Sequence, residues 1–255
     1  NEGPAYQRPM LTKAMLSGLT ADQMALHPAG WYEAQNIVQI LERQVVAVDT
    51  QNKQVEMDGG FKLPYTKLIF ALGSECFIPP IPGHDKQGVV AIRRLSDVEK
   101  IQAMGNTLKQ AVVIGGGVVG LEAAWELKKY QCDVTILEAM PSLMSNKLDS
   151  SASHMLQEIF EANGIRILAG ASTKKFEDRK IYLEDGTVIP ADLVVVSCGV
   201  RANSAIAADA GVEIGRAILV NDRMETNIPD LYAAGDCVEF EGMNYALWPE
   251  ATDQG

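Results

Sequence analysis

Histidine is scarce in this 255-residue chain: there are three, and His27, His84 and His154 lie far apart. Imidazoles so scattered suggest neither a metal cluster nor a catalytic triad. The four cysteines, Cys76, Cys132, Cys198 and Cys237, form no C-x-x-C pair. Metal-thiolate and dithiol spacings are therefore missing, and buried thiols in a reducing compartment are the plain reading. Basic residues are short as well, with 22 lysines and arginines against 33 aspartates and glutamates, a formal net charge of −11. That balance argues against nucleic acid or an anionic membrane as partner; it suits a basic protein partner or simply keeps the chain soluble. No apolar run approaches the ~20 residues of a membrane span, and no secretory signal opens the chain. The expected compartment is the cytoplasm. The first residue is Asn1 rather than Met, which points to an excised or processed piece.

What is present is core material. At 47 % hydrophobic the chain can bury a full core, and its length allows one or two domains. Residues 1–35 carry Pro4, Pro9 and Pro28 around a short apolar-periodic piece near Met10–Leu19, so a loop and short helices are expected. From Ile37 to Ile69 the runs IVQILERQVVAVDT, QVEM and KLIFALGS predict a small meander that ends in a buried strand. FIPPIPG, residues 77–83, is too proline-rich for a helix or central strand and reads as a linker. LDSSASHMLQEIFEANG predicts a helix, started by Asp149 to Ser151 and stopped by Asn163-Gly164. Its residues Ala152, Met155, Leu156, Ile159 and Phe160 share one helical face, which is assigned to the core. IRILAG is a further strand, and KIYLEDGTVIPADLVVVSCG predicts a hairpin turning at Asp185-Gly186 and leading into a buried strand. Strands alternating with helices imply an α/β fold around a parallel, doubly wound sheet.

The run QAVVIGGGVVGLEAAWELKKYQCDVTILE reads strand, glycine turn, helix, strand. Gly115, Gly117 and Gly120 form G-x-G-x-x-G, with Val118 and Val119 opening the helix. Gly115 would make the tight turn, Gly117 would let backbone approach a pyrophosphate, and Gly120 would let helix and strand pack closely. The second strand ends in Glu138, a carboxylate placed to accept hydrogen bonds from adenosine ribose hydroxyls. Ala139, Met140 and Pro141 follow, so no adjacent cation offers to bind a 2′-phosphate, and NADH is favoured over NADPH. The plainer alternative is a glycine turn in a non-binding α/β domain, with Glu138 as a solvated strand end.

TNIPDLYAAGDC is the most specific text in the chain: a buried strand meets Gly235 and then Asp236 at its carboxyl end, where α/β folds bind ligands. Together with the glycine turn it resembles the pyridine-nucleotide flavoproteins that include glutathione reductase, NADH oxidases, and rubredoxin and ferredoxin reductases. LIFALGS, with Ala71 and Gly73, is similar to that family's A-T-G strand, with Leu72 in place of threonine. VVVSCGVRANSAIA, with Cys198 and Gly199, resembles the segment that normally ends G-x-R-P-N, Ala202 replacing proline. YQRPMLTKAML, with Arg8 and Pro9, is similar to the Y-x-R-P-x-L-S-K segment of the rubredoxin and ferredoxin reductase branch, and LWPEATDQG to its W-P segment beside the flavin.

The resemblance implies two interleaved Rossmann-like dinucleotide-binding domains and two cofactors, FAD and NAD. An FAD domain of residues 1–95 and 218–255 would be interrupted by an NAD(P)-binding domain at 96–217. Asp236 would hold the ribityl chain and pyrophosphate of FAD, with Gly235 giving clearance. Trp248 and Pro249 would touch the isoalloxazine; Trp248 packing plainly is the alternative. Lys13 and Glu122 would pair next to flavin N5 as the catalytic residues, against an ordinary reading in which both are surface helix residues. No cysteine lies between Asn1 and Lys13, so electrons would leave the flavin without a protein thiol relay. The implied activity is hydride transfer from NADH to FAD, then electron delivery to a small redox protein such as rubredoxin. An NADH oxidase, the flavin module of an NADH-nitrite reductase, and a non-catalytic nucleotide-responsive module stay open, as does a homodimer. Family members open with their own G-x-G-x-x-G unit for the FAD phosphates. None precedes NEGPAYQRP, so the expectation is a truncated FAD domain without tightly bound FAD.

Overall fold

Runs rich in Val, Ile and Leu become the strands of a parallel sheet covered on both faces, and five of them frame the larger of two units. The computed structural model describes residues 5–255. The larger unit is built from Tyr6–Leu26 and Cys76–Gly199. Its strands are β1 (Val89–Val90), β2 (Gln110–Ile114), β3 (Asp133–Glu138), β4 (Ile165–Ala169) and β5 (Leu193–Val196). They form one sheet in the order β1-β5-β2-β3-β4, parallel throughout.

Side-chain alternation divides this sheet into two faces. Ala111, Val113, Val134, Ile136, Leu193 and Val195 meet the helices in one buried cluster. Those helices are α1 (Leu11–Ser17), α2 (Leu95–Met104), α3 (Val118–Lys128) and α4 (Ser150–Ala162). Val112, Ile114, Leu137, Val194 and Val196 form a second cluster with Phe176, Ile181, Leu183 and Ile189. The latter four come from an antiparallel sheet of Thr173–Glu177, Lys180–Leu183 and Val188–Pro190. The doubly wound expectation is corrected here: helices cover one face only, because the return from β4 to β5 runs through this small sheet.

α4 starts at Asp149, whose Oδ1 accepts the N–H of Ala152, and stops before Gly164 at φ +74°. Its predicted apolar stripe is corrected as well. Met155 and Ile159 are exposed, whereas Ser153 and Phe160 are buried. The inward line runs through Ser153, whose hydroxyl donates to Leu143 O at 2.7 Å and so is satisfied without water. α1 buries Leu11, Ala14 and Met15 and ends at Gly18, which is left-handed. Gln102 Nε2 donates to Ala14 O at 2.8 Å, and the Tyr130 hydroxyl donates to Met15 O, fastening α1 to its neighbours.

The smaller unit is built from His27–Glu75 and Val200–Gly255. Val45–Asp49, Gln54–Met57 and Lys62–Pro64 form an antiparallel meander. Residues 37–44, expected to begin its first strand, are not extended into it. Asn36 just before them and Glu42 among them take positive φ, and Val38 stands 86 % exposed. Leu68–Phe70 pairs in parallel with Leu231–Ala233, and Phe70, Ala207, Ile218, Leu231 and Val238 share a core. The units exchange at 5/6, 26/27, 75/76 and 199/200, whereas the sequence expectation put the domain changes at 95/96 and 217/218. β1 draws residues before 95 into the large sheet, while Ala207 and Val212 belong to the small core. No described helix is long and apolar enough to cross a membrane.

Candidate functional site

In the larger unit the chemistry collects at the carboxyl ends of β2, β3 and β5. Gly115 leaves β2 at φ +109°, and its N–H donates to Leu137 O at 2.8 Å. A Cβ there would be driven into the carbonyl oxygen of Ser197, so the turn lies directly on the chain leaving β5. A Cβ on Gly120 would meet Gly115 O in the same way, so α3 is seated on the turn. A Cβ on Gly117 would meet nothing within 4 Å. That glycine's backbone is open to an approaching group, and no side chain caps α3 at its N-terminus. Val118 and Val119 are 52 % and 47 % exposed beside it. Unpaired helix N–H groups next to open backbone suit a phosphate.

Glu138 ends β3 beside this turn. Its Oε2 accepts the N–H of Gly116 at 2.6 Å and its Oε1 that of Met140 at 2.7 Å. Met144 N–H returns to Gly116 O at 3.1 Å, so the loop after β3 is laced to the glycine turn. The Cys198 thiol, past the end of β5, is pushed up from its ordinary pKa by burial and then by the Glu138 carboxylate. The next residue, Gly199, has φ +91°.

Lys13 and Glu122 line one cavity of about 460 Å³ with Thr12, Val118, Leu121 and Trp125. Among the described residues no ion pair joins the two. Glu122 Oε2 accepts instead from the hydroxyl of Thr12 at 3.0 Å. Arg8 is turned elsewhere: its Nη1 donates to Arg93 O at 2.9 Å, and its guanidinium lies 5.4 Å from the centre of the Tyr6 ring. Pro9 sits in the 3₁₀ turn Arg8–Met10 that leads into α1.

In the smaller unit, Gly235 and Asp236 follow the strand Leu231–Ala233, with Gly235 at φ +82°. A Cβ on Gly235 would approach only Ala251, at 3.6 Å. Asp236 Oδ2 accepts the Ser74 hydroxyl at 2.7 Å. Asn244 Nδ2 donates to Asp236 O at 2.9 Å and to Val238 O at 2.7 Å, and Gly235 N–H donates to Gln254 Oε1 at 2.7 Å. Ala71 and Gly73 lie just before Ser74, where Asn203 Nδ2 donates to Leu72 O. Trp248 and Pro249 open the helix Trp248–Gln254, with Trp248 39 % exposed.

Sequence reasoning passed over Thr12, Ser74, Asn244 and Gln254. Each was readable as a neighbour: Thr12 precedes Lys13 in its motif, Ser74 follows Gly73, and Gln254 lies in the W-P segment. Asn244 had no such signal.

A profile of the family described as pyridine nucleotide-disulphide oxidoreductase matches residues 1–255. The chain is 40 % identical over 248 residues to a nitrite reductase (NAD(P)H) of Bacillus subtilis strain 168, covering 96 % of this chain and 31 % of that protein. A ferredoxin reductase structure from Rhodopseudomonas palustris superposes with a TM-score of 0.94 at 28 % identity, covering 100 % of this chain and 66 % of that one. An NADH:rubredoxin oxidoreductase structure from Clostridium acetobutylicum superposes with a TM-score of 0.88 at 30 % identity, covering 100 % and 64 %. The chain thus spans about a third to two thirds of the length of these relatives.

Proposed function

This chain belongs to the pyridine nucleotide-disulphide oxidoreductase family, and from that premise we propose that it takes a hydride from NADH onto FAD and passes electrons to an external acceptor such as rubredoxin. One observation carries the NADH assignment. Glu138 stands at the end of β3, hydrogen-bonded to Gly116, beside an uncapped α3 N-terminus and the open backbone of Gly117. A carboxylate so held accepts from ribose hydroxyls and repels a 2′-phosphate. The nicotinamide-binding role falls to the glycine turn and the strands β2 and β3 within residues 96–217, and the FAD role to the residues on either side.

The residues present fit FAD. Gly235 offers clearance, Asp236 is braced by Ser74 and Asn244, and Ala71 and Gly73 border Ser74. Asp236 would accept from ribityl hydroxyls, and Trp248 and Pro249 would cover the ring system. When bound, FAD supplies hydride acceptance and one-electron release, chemistry that no side chain here provides. Lys13 would offer a cation, and Glu122 its counter-charge, to the reacting edge of the ring. The expected compartment is the cytoplasm.

The likeness to a nitrite reductase supports a second reading, in which the electrons go to a nitrite-reducing centre. Stopped-flow mixing of the FAD-loaded protein with NADH tests the proposal. The flavin band should bleach, and oxidised rubredoxin should restore it; restoration by nitrite alone would favour the second reading. NADH binding without bleaching would leave a nucleotide-responsive module. Failure of the chain to bind ADP-ribose in calorimetry would remove the dinucleotide site itself.

A further inference from the structure

We infer that Thr12 is a positioning residue, whose hydroxyl holds the Glu122 carboxylate and keeps it out of an ion pair with Lys13. The consequence for flavin rests on the function proposed above; the contact itself does not. Thr12 is 5 % exposed, and its Oγ1 donates to Glu122 Oε2 at 3.0 Å, joining α1 to α3. A buried hydroxyl needs a partner, and this is the one it has. Lys13, the next residue, lines the same cavity.

Electrostatics alone would favour a different arrangement. The cavity is walled by Val118, Leu121, Trp125 and Phe160, and apolar walls strengthen charge attraction. An ammonium one residue away should therefore claim Glu122. Helix geometry gives Thr12 the more direct seat. Consecutive residues project about 100° apart around a helix, so only one of them can face α3 squarely. Thr12 faces it, and Lys13 is left exposed. Glu126, one turn along α3, does not compete for Lys13 because Lys129 Nζ lies 2.5 Å from its Oε1. The hydroxyl thus anchors a negative charge without cancelling the positive charge beside it. Facing a flavin, Lys13 would keep its full charge while Glu122 stays in a fixed position.

Competitive acylation of Lys13, read by mass spectrometry of its peptide in the full chain, tests this. In Thr12→Val the freed carboxylate should turn to Lys13 and slow its labelling by about two- to fivefold, the weight of an exposed ion pair. Thr12→Ser should label like the parent, and Thr12→Val with Glu122→Gln should regain the parent rate. Unchanged labelling in a folded Thr12→Val, or slowed labelling in Thr12→Ser, overturns the inference. Should Thr12→Val not fold, Thr12→Ala removes the same hydroxyl with less bulk. In FAD-loaded protein, Thr12→Val should make the flavin midpoint potential more negative and leave KM for NADH unchanged. If labelling follows the expected pattern but Lys13→Met leaves flavin reduction untouched, the flavin role of Lys13 fails and the Thr12 contact stands.

Discussion

The main-chain N–H of Gly116 donates to Oε2 of Glu138 across 2.6 Å, so the glycine turn itself holds the acid that ends β3. A hydrogen bond to a charged group contributes about 1.5–3 kcal/mol. Glu138→Arg should therefore lower NADH affinity by about ten- to a hundredfold and shift preference toward NADPH. Steady-state kcat/KM for both nucleotides checks this; a parent protein that prefers NADPH would refute the role of Glu138.

Gly115 combines φ +109° with direct seating on the Ser197 carbonyl. Gly115→Ala must both strain the backbone and push β5's exit away. A loss of about 2–4 kcal/mol in urea unfolding is expected. A loss below about 1 kcal/mol would show that the turn can relax.

Ser153 and Met155 reverse the usual ranking of polar and apolar substitutions on α4. Ser153→Ala leaves Leu143 O without its donor and should cost about 1–3 kcal/mol. Met155, 63 % exposed, should tolerate alanine within about 0.5 kcal/mol. Thermal unfolding of the two variants decides the order.

Asp192 links β2 to the hairpin before β5. Burial pushes its carboxyl up, but the N–H groups of Lys109 and Gln110 and the Arg179 guanidinium outweigh this and hold it below the ordinary value. A depressed native pKa gives stability that is present above the unfolded value, about 3.9, and is lost as pH falls through the native one. Acid unfolding should therefore steepen below about pH 3.9. Asp192→Asn should flatten that part of the curve and lower stability at neutral pH; an unchanged acid limb would count against the linkage.

Much of this was legible in the sequence because local chemistry sufficed. Asp149 and Gly164 mark α4, and Gly115, Gly117 and Gly120 mark the turn, since each acts within a few residues of its position. What escaped depends on distant partners. Ser153 lay outside the predicted apolar stripe, and its burial depends on the distant Leu143 carbonyl that accepts its hydroxyl. Lys13 and Glu122 were expected to pair, but whether Lys13 or Thr12 meets the carboxylate depends on how α1 is rotated against α3. Residues 37–44 read as a strand by composition, yet positive φ at Asn36 and Glu42 leaves them outside the meander.

The larger unit takes α1 from residues 6–26 and the rest from 76–199, which has a consequence for the order of synthesis. Leu11, Ala14 and Met15 emerge from a ribosome well before α2 and α3, whose surfaces cover them. β5 joins late too: Leu193 pairs with Ala111, 82 positions earlier. Long-range parallel pairing of this kind is slow. The nascent chain must therefore carry an uncovered apolar helix until residue 128 has emerged, and an open sheet edge until residue 196 is free. A fragment that begins at residue 76 would never acquire α1, and the apolar seats on α2 and α3 would stay bare however long it was left to fold.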